Sequence, residues 1–299
     1  MRYIFIVNGR NDYRDRITRE VESQISSLKL KDSTIYSTRG QGDATRYVRV
    51  HCDLHPKDEE CFVACGGSGT TNEVLSGIMG FEHKRMAILT FGATNDFTKC
   101  FPERDFNSVA GILNGEIFRS DVIKANDYYS LNVINVGFDA HVAMMANSYI
   151  QEGLEGSKAY SRAVLVSLLT ERVNRASIEV DGKRFGGRTF LLCNFANGRY
   201  CGGQFLCAPD AKLDDGLMDI CRFRPMSLLS FLVCIHYYRK GEHLTNPFCR
   251  RRLKWCRAAK ARVSLRNSLV FLSLDGESAA SRDFCIEVLP KAVEIVLPL

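Results

Sequence analysis

No stretch of this chain stays apolar long enough to cross a bilayer. The longest runs, Ala163 to Leu169 and Leu228 to Ile235, fall well short of the roughly 20 residues a spanning helix needs. No leader pattern opens the chain either. Tyr3-Ile4-Phe5-Ile6-Val7 is too short, and Asn8-Gly9-Arg10 ends it, so the expectation is a cytoplasmic protein. There is no Cys-x-x-Cys, and the six histidines do not pair with the twelve cysteines at zinc-ligand spacing. Cys61, Cys65, Cys193, Cys221, Cys234 and Cys285 sit inside apolar runs, which predicts reduced cysteines used as small hydrophobes. GxxxxGK-Ser/Thr, a GxGxxG after the first strand, and the HRD and DFG triplets are all missing, which excludes P-loop enzymes and protein kinases. Zinc-finger, helix-turn-helix and RNP-like signatures are missing too, which argues against nucleic acid as a partner.

What remains is an ordinary globular composition, 45% hydrophobic and 25% charged over 299 residues, enough for one large domain or two ordinary ones. The net charge of +6 is uneven. Up to Ala125 there are 17 Lys/Arg against 17 Asp/Glu, and from Asn126 onward 23 against 17. No acid occurs between Glu242 and Asp275, whereas Arg250, Arg251, Arg252, Lys254, Arg257, Lys260, Arg262 and Arg266 do. Such a run reads first as a solvated face. Interleaved with Phe248, Leu253 and Trp255, it also suits an anionic membrane surface or a polyphosphate.

The first 125 residues alternate strand and helix. Strands are expected at Tyr3–Val7, Thr34–Thr38, Cys61–Cys65 and Met86–Thr90. Helical spacing runs through Ile17, Val21, Ile25 and Leu28, then Asp43–Cys52 and Asn72–Met79, and a further helix should follow Asn95. This rhythm predicts a parallel sheet with crossover helices, whose ligand loops follow the strand C-termini. After Asn126 the pattern changes. A strand Tyr129–Val136 precedes two helices, Ala140–Gln151 and Ser157–Val173. Short strands follow at Ala176–Val180, Arg188–Phe195 and Leu217–Phe223, then a helix Ser227–Tyr238. Strands Ala261–Leu265, Leu269–Leu274 and Phe284–Leu289 come next, with Val293–Leu297 a further candidate. Many short strands between glycine turns predict a mainly antiparallel β-sandwich. The expected fold is therefore an α/β N-terminal domain (1–125), completed by 285–299, and a β-sandwich domain (126–284).

The segment from Phe62 to Leu75 is the most informative. A buried strand ends, Gly66-Gly67-Ser68-Gly69-Thr70 follows, and a helix begins. Glycines let backbone N–H groups approach a ligand, and the helix N-terminus adds partial positive charge, so the turn reads as a phosphate site. The plain alternative is a strand-to-helix connection. Thr70 with Glu73 fits a capping box and would start the helix there. Asp215-Gly216 and Asp275-Gly276 fit hairpin turns, and Asn95-Asp96 fits a helix N-cap.

Gly66-Gly67-Ser68-Gly69-Thr70-Thr71-Asn72-Glu73-Val74 resembles the GGDGTxNEV signature of the diacylglycerol-kinase catalytic-domain superfamily, most closely its soluble bacterial YegS/BmrU-like lipid kinases. Five further segments are similar to motifs of that family, in order and over nearly the whole chain. They are Thr38 with Gly42-Asp43-Ala44; Phe91-Gly92-Ala93-Thr94-Asn95-Asp96-Phe97; Gly137-Phe138-Asp139-Ala140; Gly202-Gly203 through Asp214-Asp215-Gly216-Leu217-Met218-Asp219; and Asp275-Gly276-Glu277. The resemblance implies a Mg²⁺-dependent enzyme that moves the γ-phosphate of ATP to a lipid hydroxyl at a membrane surface, with ATP between two domains. The lipid would be diacylglycerol-like, phosphatidylglycerol or a sphingoid or ceramide-like alcohol. Peripheral membrane attachment and a homodimer are compatible with it.

By matching positions, the resemblance assigns ATP contacts to Asn8, Gly9, Arg10, Thr38, Gly66, Gly67, Ser68, Gly69, Thr70, Thr71, Asn72, Ala93 and Thr94. It assigns a structural Mg²⁺ to the carbonyls of Lys212 and Leu217 and the carboxylate of Asp215, oxygen donors of the kind hard cations take. Glu277 becomes the proton acceptor with Asp275 beside it, and Asp96, with Asp121 as a further candidate, joins the catalytic Mg²⁺ network. Two positions depart from the pattern. Ser68 stands where the family has aspartate, and Ala93 precedes Thr94 where threonine is expected directly after Gly92. The competing readings are a nucleotide- or lipid-binding homologue with impaired catalysis, and an NAD kinase, which shares the glycine turn.

Overall fold

A computed structural model describes residues 1–9, 11–91, 95–154, 156–170 and 172–299. They form two compact units, 1–121 with 290–299, and 122–289.

The first unit alternates β1 (Arg2–Val7), α1 (Asn11–Ser27), β2 (Ser33–Ser37), α2 (Asp43–Leu54), β3 (Glu60–Cys65), α3 (Ser68–Ile78), β4 (Lys84–Leu89) and α4 (Val109–Leu113), then enters β5 (Glu116–Ala125). β1 lies between β2 and β3, β3 between β1 and β4, and every pair is parallel. All six residues of β3 are buried, as a strand covered by helices on both faces requires. The helix expected after Asn95 is replaced by a single 3₁₀ turn, Thr98–Cys100. The Asn95 side chain is spent on the Phe97 N–H (3.1 Å) and on Thr71 Oγ1 (2.8 Å), so it closes a loop and caps no helix.

The second unit continues through β6 (Tyr128–Ser130), β7 (Val133–Gly137), α5 (Phe138–Gln151), α6 (Gly156–Thr170), β8 (Asn174–Arg175), β9 (Ser177–Val180), β10 (Lys183–Arg184), β11 (Thr189–Phe190), β12 (Leu192–Ala196) and β13 (Met218–Phe223). Then come α7 (Leu228–Arg239), α8 (Pro247–Arg250), β14 (Leu253–Ala258), β15 (Lys260–Ser264), β16 (Val270–Leu274), β17 (Glu277–Ser281) and β18 (Asp283–Leu297). One antiparallel sheet has the order β14-β13-β12-β7-β16-β17. The start of β18 pairs antiparallel with β15, and β15 with β9, to give the facing layer.

Side chains alternate across this sandwich with the two-residue period of a strand. Cys193, Phe195, Met218 and Ile220 face the inter-sheet core with Val263, Phe284 and Ile286. Leu192, Ala196, Cys221 and Phe223 face the other way, against Phe138, Phe231 and Tyr238 of α5 and α7. The fold is therefore an α/β domain with a parallel sheet, followed by an antiparallel β-sandwich with helices on one face.

Several strands differ from the sequence reading. Tyr129–Val136 divides into β6 and β7, and Arg188–Phe195 into β11 and β12. β5, β14 and β17 carry too many polar residues to show a strand period. The two C-terminal runs form the single strand β18, which changes partner around Pro290-Lys291. Before that point it pairs with β15, and after it Glu294–Val296 pair parallel with Arg85–Ala87. Pro290 has no N–H to give a ladder, and Lys291, at φ 50°, donates its N–H to Asp121 Oδ1 (2.7 Å). All twelve cysteines are free and nine are buried; Cys285, expected in the core, is exposed.

Candidate active site

In the first unit, the C-terminal ends of β1, β2 and β3 bring five of the expected ATP residues together. Thr38 donates its N–H to Val7 O (2.9 Å), and its Oγ1 accepts from the Gly9 N–H (2.9 Å). A Cβ on Gly9 would lie 1.5 Å from Thr38 O, so no other residue fits there. Asn8 donates through Nδ2 to Thr70 Oγ1 (3.2 Å). A Cβ on Gly66 would stand 2.7 Å from that Oγ1 and 3.4 Å from the Asn8 Cβ. The Gly66 N–H is held by Leu89 O (2.9 Å).

The helix α3 starts earlier than the expected capping box allows. Gly67 is its N-cap, with extended backbone, and Ser68 is its first residue. The Thr71 N–H closes the first helical bond onto Gly67 O (3.1 Å). The amides of Ser68, Gly69 and Thr70 therefore precede the first helical bond, and the N-cap supplies no side chain to accept from them. No acid lies in the first turn. A helix start with free amides, partial positive charge and no capping carboxylate is suited to an anion.

Glu73 is diverted from capping α3 and accepts from the N–H groups of Gly42 (2.8 Å) and Ala44 (3.0 Å) at the start of α2. Asp43 accepts from Tyr36 Oη (2.8 Å) and the Arg39 N–H (2.9 Å). That backbone bond above all holds its carboxyl below the usual carboxylate range. These two acids brace the loop that carries Thr38. Local sequence gave no sign of either role, because each acid serves a neighbouring element. Of the remaining expected ATP residues, Asn72 is buried in α3 beside Thr71, while Arg10, Ala93 and Thr94 lie outside the described residues. Asp96 accepts from Lys99 Nζ (2.7 Å). Asp121 is buried on β5, apart from any solvent.

In the second unit, Asp275 and Gly276 form the two-residue turn between β16 and β17, with φ of 52° and 98°. This is the hairpin geometry that Asp-Gly favours. The Asp275 carboxylate accepts from Ser130 Oγ (2.9 Å) and from the N–H groups of Leu131 (2.7 Å) and Val133 (2.8 Å). It thereby fixes the turn to the β6–β7 connection. Glu277 opens β17 directly after the turn, half-buried. Lys212, Asp215 and Leu217 share the turn that leads into β13. There Asp215 accepts from the Leu217 N–H (3.1 Å) and is ion-paired with Arg257. Among the described residues, no group of three or more His, Cys, Asp or Glu is arranged to hold a metal.

Residues 2–125 match the diacylglycerol kinase catalytic domain family, and residues 132–297 match the YegS C-terminal NAD kinase beta sandwich-like domain. The chain is 30% identical over 285 residues to a protein of Shewanella frigidimarina named "Probable lipid kinase YegS-like", covering 93% of this chain and 89% of that one. It is 26% identical over 296 residues to a Bacillus subtilis protein named "Diacylglycerol kinase", covering 97% and 93%. In fold it is similar to the crystal structure of a diacylglycerol kinase from Bacillus anthracis, at TM-score 0.71 and 21% identity over 99% of this chain and 96% of that one. With both of its domains matched end to end, the chain belongs to the diacylglycerol kinase catalytic-domain family with a YegS-type sandwich, and so to the lipid kinases.

Proposed function

We infer that this protein transfers the γ-phosphate of ATP to the hydroxyl of a membrane lipid, of the diacylglycerol, phosphatidylglycerol or sphingoid class. The observation that carries the reading is the uncapped start of α3 behind Gly66 and Gly67, within reach of Asn8, Gly9 and Thr38. Phosphoryl transfer asks mainly for positioned phosphates and neutralised charge, and three helix-start amides in a glycine turn supply both. In the reaction the lipid oxygen bonds to the γ-phosphorus, the bond to ADP breaks, and the hydroxyl proton passes to a carboxylate. Glu277 is the residue assigned to that proton, with Asp275 holding the turn before it.

Mg²⁺ would shield the charge of the transferring phosphate. Asp96 is the mostly buried carboxylate on the loop after β4 suited to it, once Lys99 gives way. At Lys212, Asp215 and Leu217 the donor atoms suit a hard cation, yet both oxygens of Asp215 are already engaged, so an ion there competes with Arg257. The test is incubation with γ-labelled ATP, Mg²⁺ and a fractionated lipid extract, read by chromatography. A labelled lipid phosphate that disappears in Glu277→Gln is expected. No labelled lipid from any fraction, or NADP formed from NAD in a coupled assay, overturns the reading.

A second reading, ATP binding with little turnover, rests on the absence of any acid in the first turn of α3, where Ser68 replaces the family aspartate. Ser68→Asp separates the two. A carboxylate there repels bare ATP but binds Mg²⁺–ATP. The variant should bind ATP more weakly in a chelator and more tightly with Mg²⁺, and it gains turnover if Ser68 is what limits it.

A further inference from the structure

The helix α7 is apolar on two opposite faces. Phe231, Cys234 and Tyr238 form its buried face against β13 and α5. On the opposite face Leu229 is 78% exposed, Leu232 51% and Val233 42%, and Leu228 adds a further exposed side chain at the helix start. Three large aliphatic residues within about one turn on a solvent face cost solubility and add nothing to the core, so this patch marks a contact surface.

Beside the start of α7 lies a depression of about 510 Å³ lined by Arg224, Pro225, Met226, Ser227, Ser230, Arg251 and Arg252. Arg224 and Arg251 are exposed and pair with no acid among the described residues. Arg252 is held in place by stacking on Phe248 (3.7 Å) and by donating to Phe248 O (2.8 Å). From Ile220 to Leu274 the chain carries twelve Lys/Arg and one acid, Glu242. The apolar residues that sequence alone set beside this charge lie otherwise: Leu253 is buried and Trp255 donates to Asp219 Oδ1 (2.9 Å). Leu229 of α7 is more exposed than either.

We propose that this face is a bilayer-docking surface, with Leu229, Leu232 and Val233 entering the headgroup–acyl boundary and the arginine depression taking the phosphate of an anionic phospholipid. Aliphatic side chains flanked by unpaired arginines are what an interfacial anionic membrane selects. A two-fold contact with a second copy would set the arginine cluster against itself, and a soluble phosphate would leave the leucines in water. The inference supplies a surface for the lipid-kinase reading but does not depend on catalysis.

The test is co-sedimentation of the full chain with vesicles of phosphatidylcholine containing phosphatidylglycerol, against pure phosphatidylcholine. Binding should be at least about tenfold stronger to the anionic vesicles and fall with salt. It should drop at least about tenfold in both Leu229→Ser/Leu232→Ser and Arg224→Glu/Arg251→Glu. In the variant Leu229→Trp, the fluorescence of the added indole should be quenched by vesicles with brominated acyl chains. Equal binding to both vesicle types, wild-type binding in both double variants, or an unquenched indole in Leu229→Trp overturns the proposal. So does a dimer that the leucine substitutions dissociate without any vesicle binding. Phosphorylation of a short-chain, water-soluble lipid should be unchanged in these variants. If the wild type lacks that activity yet docks on vesicles, the kinase reading falls and the docking surface stands.

Discussion

Gly66 is the residue on which the glycine turn depends, for a steric reason rather than a conformational one. Its missing Cβ is what lets Asn8 reach Thr70. Gly66→Ala should cost about 1–3 kcal/mol as an overpacking change and weaken ATP binding at least tenfold, a loss that calorimetric titration would record. Binding at wild-type strength would remove the turn from the site. Arg257 offers a second test. It holds both Asp215 and the buried Asp219. Arg257→Gln frees Asp215, so Mg²⁺ should raise the unfolding midpoint more in the variant than in the wild type. Equal shifts would show that Asp215 takes no ion.

At the scale of elements, β3 and β4 are joined at the end remote from the glycine turn by a buried ion pair. Glu60 and Lys84 stand opposite each other in register, both inaccessible, with Nζ 2.8 Å from Oε2. Lys84 also donates to His55 O (2.6 Å) and Asp58 O (2.7 Å), and His51 Nε2 meets Glu60 Oε1 at 2.8 Å. Burial by itself would raise the Glu60 pKa, yet Lys84 and His51 outweigh it and hold the carboxyl below its usual range. Lys84→Met should destabilise the first unit by about 3–5 kcal/mol, because it strands a buried charge. Lys84→Met/Glu60→Gln should recover much of that loss in denaturant titrations. A double variant no better than the single would show that the lysine's carbonyl contacts, not the ion pair, carry the effect.

The sequence makes these elements legible to different degrees. β1, β3 and β4 are continuous apolar runs that no solvent face interrupts, so their pattern and their order are readable directly. β14 and β17 are not readable this way. Lys254, Arg257, Glu277 and Ser278 break the alternation, and only pairing with β13 and β16 makes these segments strands. The same limit hid the start of α3. Thr70 and Glu73 satisfy a capping box by spacing, but Glu73 finds two amides of α2 instead.

At the scale of the whole molecule, two buried groups set opposing pH dependences. Asp139 opens α5 with Oδ2 inaccessible and without a hydrogen-bond partner, and burial pushes its carboxyl up to about 7. The folded state then holds this proton more tightly than the unfolded chain does, so stability falls as pH rises from about 4 to about 7. His243 lies against Tyr238, ring centroids 4.8 Å apart, and burial lowers its pKa to about 4. Neither ring nitrogen has a hydrogen-bond partner, although the Cys207 backbone is near enough to oppose the shift. There the unfolded chain binds the proton more tightly, so stability rises with pH from about 4 to about 6.5. The two contributions, on the order of 4 kcal/mol for Asp139 and on the order of 3 kcal/mol for His243, largely offset in the wild type. Asp139→Asn should stabilise the protein at pH 8 and leave a profile that falls steeply below pH 6.5. A pH profile parallel to wild type would show that Asp139 is ionised in the fold.

By itself the sequence determined the order of α/β and β domains, the family, and the glycine turn between strand and helix. Those rest on local signals, apolar runs and glycines at fixed spacing, which survive without knowledge of their neighbours. Tertiary structure decided that Gly66 is required by the approach of Asn8 to Thr70, that Glu73 and Asp43 brace a neighbouring loop, and that Asp275 holds a turn through backbone amides. It also decided that Leu229 and Leu232 of α7 face outward while Leu253 of the basic run is buried. Each of these is a pairing between segments distant in the chain, and no local pattern encodes which partner a side chain will meet.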